Sequence, residues 1–195
     1  EISASLSCAM EIIESIEKYD NILNVGSGGG YYTVGLALHS QKENIVAIDY
    51  SDFANKYLKK VAKINKVDGK VKVYNSILEV DAKSYKEGRN LWIIDCEGCE
   101  STFLLDEPEK FANSDILVET HEFVHFDIVD NILEKYRDTH EAEVIASVAD
   151  MDKVSEYHLP EIKEESRPHK FKLLSENRNV EMKWIYLKAK KTNAK

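Results

Sequence analysis

Proline and cysteine are scarce in this chain of 195 residues, three of each. The cysteines, Cys8, Cys96 and Cys99, are odd in number and too few for a disulfide scaffold, which agrees with a reducing compartment. The longest strictly apolar runs, Ile45-Val46-Ala47-Ile48 and Leu91-Trp92-Ile93-Ile94, fall far short of the ~20 residues a membrane helix needs. No basic leader opens the chain at Glu1-Ile2-Ser3, so no secretion signal and a cytoplasmic setting are expected. Positive charge is also short, 26 Lys+Arg against 35 Asp+Glu for a net charge of -9. That balance argues against adhesion to nucleic acid or anionic lipid, and small or neutral partners are expected instead. There is no repeat, low-complexity tract or Gly/Ser linker, so residues 1–195 are expected to form a single domain.

What the chain does contain is an alternation of short β-branched runs with longer segments of helical period, the pattern of a parallel sheet covered by helices. Leu6, Ala9, Met10, Ile13 and Ile16 mark an N-terminal packing helix within residues 1–19. Strands are expected at 22–25, 44–50, 70–75, 91–95, 115–120, 143–148 and 182–189, and helices at 31–40, 99–112 and 127–137. A further helix places Phe53, Tyr57, Val61 and Ile64 inward and Lys56, Lys59, Lys60 and Lys63 on another face, expected to be a solvated surface, with a basic patch as the alternative. Residues 150–180, with two of the three prolines and little periodicity, suit a lid or a recognition segment.

The strongest motif is Asn24-Val25-Gly26-Ser27-Gly28-Gly29-Gly30-Tyr31, a strand feeding a glycine-dense turn and then a helix. Such a turn lets a ligand approach bare backbone. Tyr31 stands where a dinucleotide fold needs glycine or alanine, and no Lys-Ser/Thr follows to hold phosphates, so the ligand lacks a pyrophosphate. Asp49 ends the second strand 19 residues past Gly30, where a carboxylate accepts hydrogen bonds from vicinal ribose hydroxyls or caps the next helix. A nucleoside ligand follows from the combination.

The fourth strand delivers Asp95-Cys96-Glu97-Gly98-Cys99-Glu100. Asp95 or Glu97 suits a general base or a hard oxygen ligand, whereas Glu100 favours the positive end of the next helix. Cys96 and Cys99 also form a CxxC at a strand-to-helix junction, which keeps a thiol oxidoreductase as the minor alternative. His121-Glu122-Phe123-Val124-His125 matches HExxH, but the strand running into it puts His121 at a strand end, where two imidazoles need not converge on zinc. His121 there serves either as an acid/base group or as a satisfied structural histidine.

Taken together, these residues resemble a class I S-adenosylmethionine-dependent methyltransferase, and more narrowly the FkbM-type group. The narrower likeness rests on the strand Leu91 to Asp95 ending in D-x-E-G-x-E, on Ile116 to His121 ending in E-x-H, and on Glu176-x-Arg178 followed by Met182-x-Trp184. The resemblance implies a Rossmann-like α/β fold with a seven-stranded, mostly parallel sheet in the order 3-2-1-4-5-7-6, last strand antiparallel. It implies S-adenosylmethionine as cofactor and methylation of a hydroxyl; with the charge balance and the short apolar runs, the acceptor is expected to be a small molecule or sugar, with no nucleic acid or membrane partner. Gly26, Gly28 and Gly30 would line the cofactor's methionine part, Asp49 its ribose and Ser76-Ile77 its adenine. Asn24, Ser27, Tyr50 and Asp95 complete that set, and Asp95, Glu97 and His121 are the catalytic candidates. Asn24 stands where the group carries Asp or Glu, which removes a charge attraction to the cofactor's ammonium. Glu119 and His121 would border the same crevice as Asp95 and Glu97, and these four could ligate Mg²⁺ or Mn²⁺, but plain hydrogen-bonding roles are expected and no metal. A methyltransferase-like binding module without turnover is the second alternative.

Overall fold

The apolar runs found in the sequence form strands whose both faces are covered, as a central parallel sheet requires. In the computed structural model, which describes residues 11–80, 85, 87–175 and 182–190, every residue of β2 (Ile45–Ile48) and β4 (Asn90–Ile94) is buried. They share one sheet with β1 (Asn21–Val25), β3 (Val71–Tyr74), β5 (Ser114–Thr120), β6 (His140–Ala146) and β7 (Lys183–Ala189). Among the described residues the sheet has seven strands in the order β3-β2-β1-β4-β5-β7-β6. Strands β1 to β5 pair in parallel, and β7 inserts antiparallel between β5 and β6. This is the Rossmann-like arrangement expected from the sequence, with the order reversing beside β1.

Alternation along each strand splits the core between the two faces. On one face Leu23, Val46, Trp92, Ile94, Ile116 and Val118 meet residues of the helices α3 (Glu100–Leu105) and α4 (Ile128–Tyr136). On the other, Ile22, Ile45, Leu91 and Ile93 pack with Val34, Leu36 and Ala37 of α1 (Tyr31–His39), Ala62 of α2 (Asp52–Ile64), and Ile12, Ile16 and Tyr19. Each large side chain taken out of water in this way contributes about 1.5–3 kcal/mol. Two more helices, α5 (Asp150–Glu156) and α6 (Arg167–Leu174), pack on one another between β6 and β7, within the segment expected to be irregular.

Four expectations change. Of the N-terminal packing helix, Leu6, Ala9 and Met10 lie outside the described residues, as do Glu176 and Arg178 of the third FkbM-like stretch, and Ile12 and Ile16 are the buried positions. Helix α2 buries Asn55, Leu58 and Ala62, whereas Phe53, Tyr57 and Ile64 are exposed. The reason lies in Asn55, whose amide donates to the Asp49 carbonyl and to Asn75 Oδ1 and so turns a polar residue inward. The helix expected at 99–112 stops at Leu105 and resumes as a 3-10 turn at Pro108–Phe111, because proline cannot donate to a continuing ladder. Finally, Cys96 and Cys99 are joined by a disulfide, which closes one turn and links no separate elements.

Near the start of β5, away from the glycine turn, Asp115 is fully buried. It accepts from the Tyr19 hydroxyl at 2.8 Å and the Ala189 N–H at 3.0 Å, and pairs with Lys18 and Arg89 at 3.1 Å each. Burial alone would raise this carboxyl, but these partners outweigh it and hold it below the usual carboxylate range.

Candidate active site

Strand β1 ends in a bend that only glycine tolerates. Gly26, Gly28 and Gly30 have φ of 75°, 49° and 92°, in the left-handed region. A Cβ on Gly26 would lie 1.8 Å from the Asp95 carbonyl oxygen, so β1 and β4 meet here backbone to backbone. The N–H groups of Gly26 and Ser27 donate to the Ile48 carbonyl, that of Gly30 to Ser27, and that of Gly28 to Asp49 Oδ2 at 2.8 Å. The bend therefore offers closeness rather than a row of free donors.

Asp49 ties this bend to the next helix. Its Oδ2 accepts from Gly28 and its Oδ1 from the Ser51 N–H at 2.9 Å, while Ser51 caps α2 by accepting from Ala54. A carboxylate offers about four acceptor positions, so each oxygen keeps a lone pair for a ligand hydroxyl. Beside it Tyr50 is exposed, and Ser76 and Ile77 are half-buried at the end of β3, where the Ser76 hydroxyl accepts from Leu78 N–H. Asn24 is fully buried, donating to the Ile93 carbonyl and accepting from the Thr33 hydroxyl, so it fastens α1 to the sheet.

A cavity of 530 Å³ opens over the bend, lined by Gly26 to Tyr32, Tyr57, Val61 and Asp95. That volume suits a ligand of nucleoside size. The Ser27 hydroxyl, in a residue only 5% exposed, is buried there without a hydrogen-bond partner. An orphaned buried hydroxyl, a side-chain-free floor and a carboxylate at the β2 terminus fit a polar nucleoside cofactor. Tyr57, inward-facing by helical period, forms the cavity's rim instead of the core, and Val61 lines the cavity while packing on the core.

The ends of β4 and β5 meet beside this cavity. His121 is 1% exposed, and its Nδ1 lies 2.9 Å from Glu100 Oε1. Its Nε2 faces Glu97 Oε2 at 3.2 Å, Glu119 Oε2 at 3.7 Å and Asp95 Oδ1 at 3.9 Å. Glu100, fully buried, also accepts from the N–H groups of Cys96 and Gly98. Burial opposes its charge, but His121 and these backbone donors prevail and hold its carboxyl low. Burial pushes Asp95 up to about 7, helped by the charge and hydrogen bond of Glu119 and by Glu97. For His121 burial lowers the pKa, yet the bond to Glu100 and the surrounding acids leave it raised.

The structure thus brings together Asp95, Glu97 and His121, the catalytic candidates of the sequence, with Glu100 and Glu119. From the sequence Glu100 only favours a helix terminus, whereas Glu119 is expected to border the crevice of His121, Asp95 and Glu97. The signal for both is their place in D-x-E-G-x-E and E-x-H. The HExxH pattern does not form a zinc set: His125 is exposed, and Glu122 pairs with Lys183 at 3.0 Å.

A glycine bend under a nucleoside-sized cavity at the reversal point of a 3-2-1-4-5-7-6 sheet defines a class I S-adenosylmethionine-dependent methyltransferase. Solved structures of this fold include an O-methyltransferase from Bacillus cereus in complex with SAH, at TM-score 0.57 and 13% identity over 96% of this chain and 83% of that one. An rRNA methylase from Streptococcus thermophilus aligns at 0.60 and 9% identity, over 95% and 96% of the two chains. The M1A22 tRNA methyltransferase TrmK of Bacillus subtilis aligns at 0.57 and 9% identity, over 93% of this chain and 64% of that one. At such identities the likeness is one of fold. Comparison with curated protein sequences yields no match. The family pattern of the TRM5/TYW2 methyltransferase domain matches residues 5–145, and the chain belongs to that family.

This membership, with a tRNA methyltransferase among proteins of the same fold, overturns the expectation of a small-molecule or sugar acceptor and no nucleic acid. The expectation rested on net charge, which averages over the whole surface. Locally, Lys56, Lys59, Lys60, Lys63 and Lys66 are all exposed on or just after α2, the helix that supplies Tyr57 and Val61 to the cavity.

Proposed function

We propose that this protein methylates a nucleoside of tRNA, using S-adenosylmethionine held over the glycine bend. The observation that carries this reading is the juxtaposition on α2 of a lysine-rich exposed face with aromatic residues at the cavity mouth. Tyr57 of α2 and Tyr31 of the neighbouring α1, both lining the cavity, are 53% and 85% exposed, and Phe53 at the start of α2 is 80% exposed. Exposed aromatic rings stack unpaired bases, and lysines nearby neutralise phosphates. Family membership supports the same acceptor class.

In this reading Gly26, Gly28 and Gly30 take the cofactor's methionine part, with Ser27 donating its hydroxyl. Asp49 and Tyr50 take the ribose, and Ser76 and Ile77 the adenine. Asn24 holds the bend in place from beneath. The cofactor supplies an electrophilic methyl on a sulfonium. The protein's own contribution is to align the attacking atom with that methyl and to receive its proton. Asp95 is placed for this, since it lines the cavity, while Glu97 and His121 set its charge.

A second reading, transfer to a hydroxyl as in the FkbM-type group, is favoured by the convergence of D-x-E-G-x-E and E-x-H in one cluster. Incubation of the protein with methyl-labelled cofactor and total tRNA, followed by nuclease digestion, tests both. Label in a modified base supports the first reading, and label on a ribose oxygen the second. Cofactor binding by calorimetry without any transfer to tRNA overturns the tRNA assignment.

A further inference from the structure

The cluster at the ends of β4 and β5 has the architecture of a metal site. We propose that Asp95, Glu97 and His121 bind a divalent transition cation of the Mn²⁺ type at the edge of the cofactor cavity.

One carboxylate oxygen from each acid and one ring nitrogen of His121 all lie within 4.8 Å of one another. Ligands about 2.1 Å from an ion lie ~3 Å apart when adjacent and ~4.2 Å apart when opposite. The separations from His121 Nε2 to Glu97 and Asp95, 3.2 and 3.9 Å, fall within that span. Glu97, with its side chain 77% exposed, is free to draw closer.

Proximity of acids would not by itself define a site, but the histidine adds an independent sign. Its Nε2 is buried, lacks a hydrogen-bond partner and points among the carboxylates. Its Nδ1 is already committed to Glu100. Glu100 is in turn fixed by two backbone N–H groups, so it anchors the Nδ1 side of the ring and turns Nε2 toward the acids. Carboxylates gathered around one ring nitrogen favour positive charge among them, which a bound cation supplies in place of a proton. A carboxylate that orients a histidine through its second nitrogen is the usual outer shell of a metal-bound imidazole. Glu119, bonded to Asp95, stands behind the same position.

The donor set selects the ion. Two carboxylates and an imidazole suit Mn²⁺, Fe²⁺ or Zn²⁺ better than the all-oxygen preference of Ca²⁺ or Mg²⁺. The sulfurs of Cys96 and Cys99 are bonded to each other and contribute nothing. An ion here would sit beside Asp95, a cavity-lining residue, where it would attract an electron-rich acceptor atom.

The test is titration of the whole protein with MnCl₂, followed by the loss of the free-ion signal in electron paramagnetic resonance, with neither cofactor nor acceptor present. One bound equivalent is expected. Affinity should fall at least about tenfold in Glu97→Gln, whose exposed side chain the fold does not need, and in Asp95→Asn, with circular dichroism to verify folding. Glu100→Gln should weaken binding by roughly 10–100-fold without removing a ligand. No loss of signal in the parent, or binding equal in parent and Glu97→Gln, overturns the site. Calorimetry with S-adenosylmethionine on the same preparation reads the methyltransferase assignment separately, since the metal proposal does not rest on it.

Discussion

Asp49 and Gly26 show how single residues shape the glycine bend proposed to hold the cofactor. Asp49 accepts from the bend and from the start of α2 at once, so its carboxylate is oriented before any ligand arrives. Replacing it with alanine removes both the anchor and the acceptor for the ribose. Cofactor affinity should fall roughly 10–100-fold by calorimetry, the value of a charged hydrogen bond or two. Gly26→Ala is expected to do more, because its Cβ would collide with the Asp95 carbonyl at a φ of 75°. Both effects together should cost about 2–4 kcal/mol in urea denaturation, and cofactor binding should vanish. Gly28 offers a contrast: no atom lies within 4 Å of the Cβ it would gain. A variant there meets only the strain of its backbone angle and should bind more normally than Gly26→Ala.

At the scale of elements, α2 has two jobs on two faces. Asn55, Leu58 and Ala62 fix it to the sheet, and the lysines with Tyr57 face outward beside the cavity. These jobs separate by mutation. Ser51→Ala removes the cap of the helix and should cost about 1 kcal/mol of stability, seen in the denaturation midpoint. Lys59→Glu with Lys63→Glu leaves the buried face untouched. It should lower tRNA affinity and flatten its salt dependence by about two ion equivalents in a filter-binding series, while cofactor affinity stays constant. Unchanged tRNA binding in that variant would remove α2 from the acceptor surface.

Across the whole molecule, the functional and stabilising ionic clusters occupy different parts of the sheet. Asp95, Glu97 and Glu119 crowd like charges around His121 beside the cavity, whereas Asp115 is surrounded by donors and cations. The folded carboxyl of Asp115 lies below its unfolded value of about 3.9. Its stabilisation is therefore fully present above pH ~4 and is lost as pH falls through the depressed folded value. Denaturation midpoints measured from pH 6 down to pH 2.5 should drop in the parent. Asp115→Asn should be less stable at pH 6, by about 3–5 kcal/mol for a broken buried pair, and flatter below pH 4.

Much of this was legible in the chain itself. Short apolar runs at 45–48 and 91–94 had to be central parallel strands, because nothing polar interrupts them on either face. Four glycines in five positions after a strand had to form a bend, since so many in a row suit no regular element. These are local constraints, of backbone freedom and of burial, and they already placed the glycines, Asp49, Asp95 and His121 at strand ends. What periodicity could not supply was which face of α2 turns inward, because a single amide, Asn55, decided it through bonds to residues up to 20 positions away. Nor could it show that Glu100 joins His121, since their meeting depends on β4 and β5 lying side by side. Total charge likewise concealed the lysines of α2, for a sum over residues has no position. Strand, bend, helix and the lysine face of α2 are written in neighbouring residues; the cluster and the cavity rim arise only where distant segments are packed together.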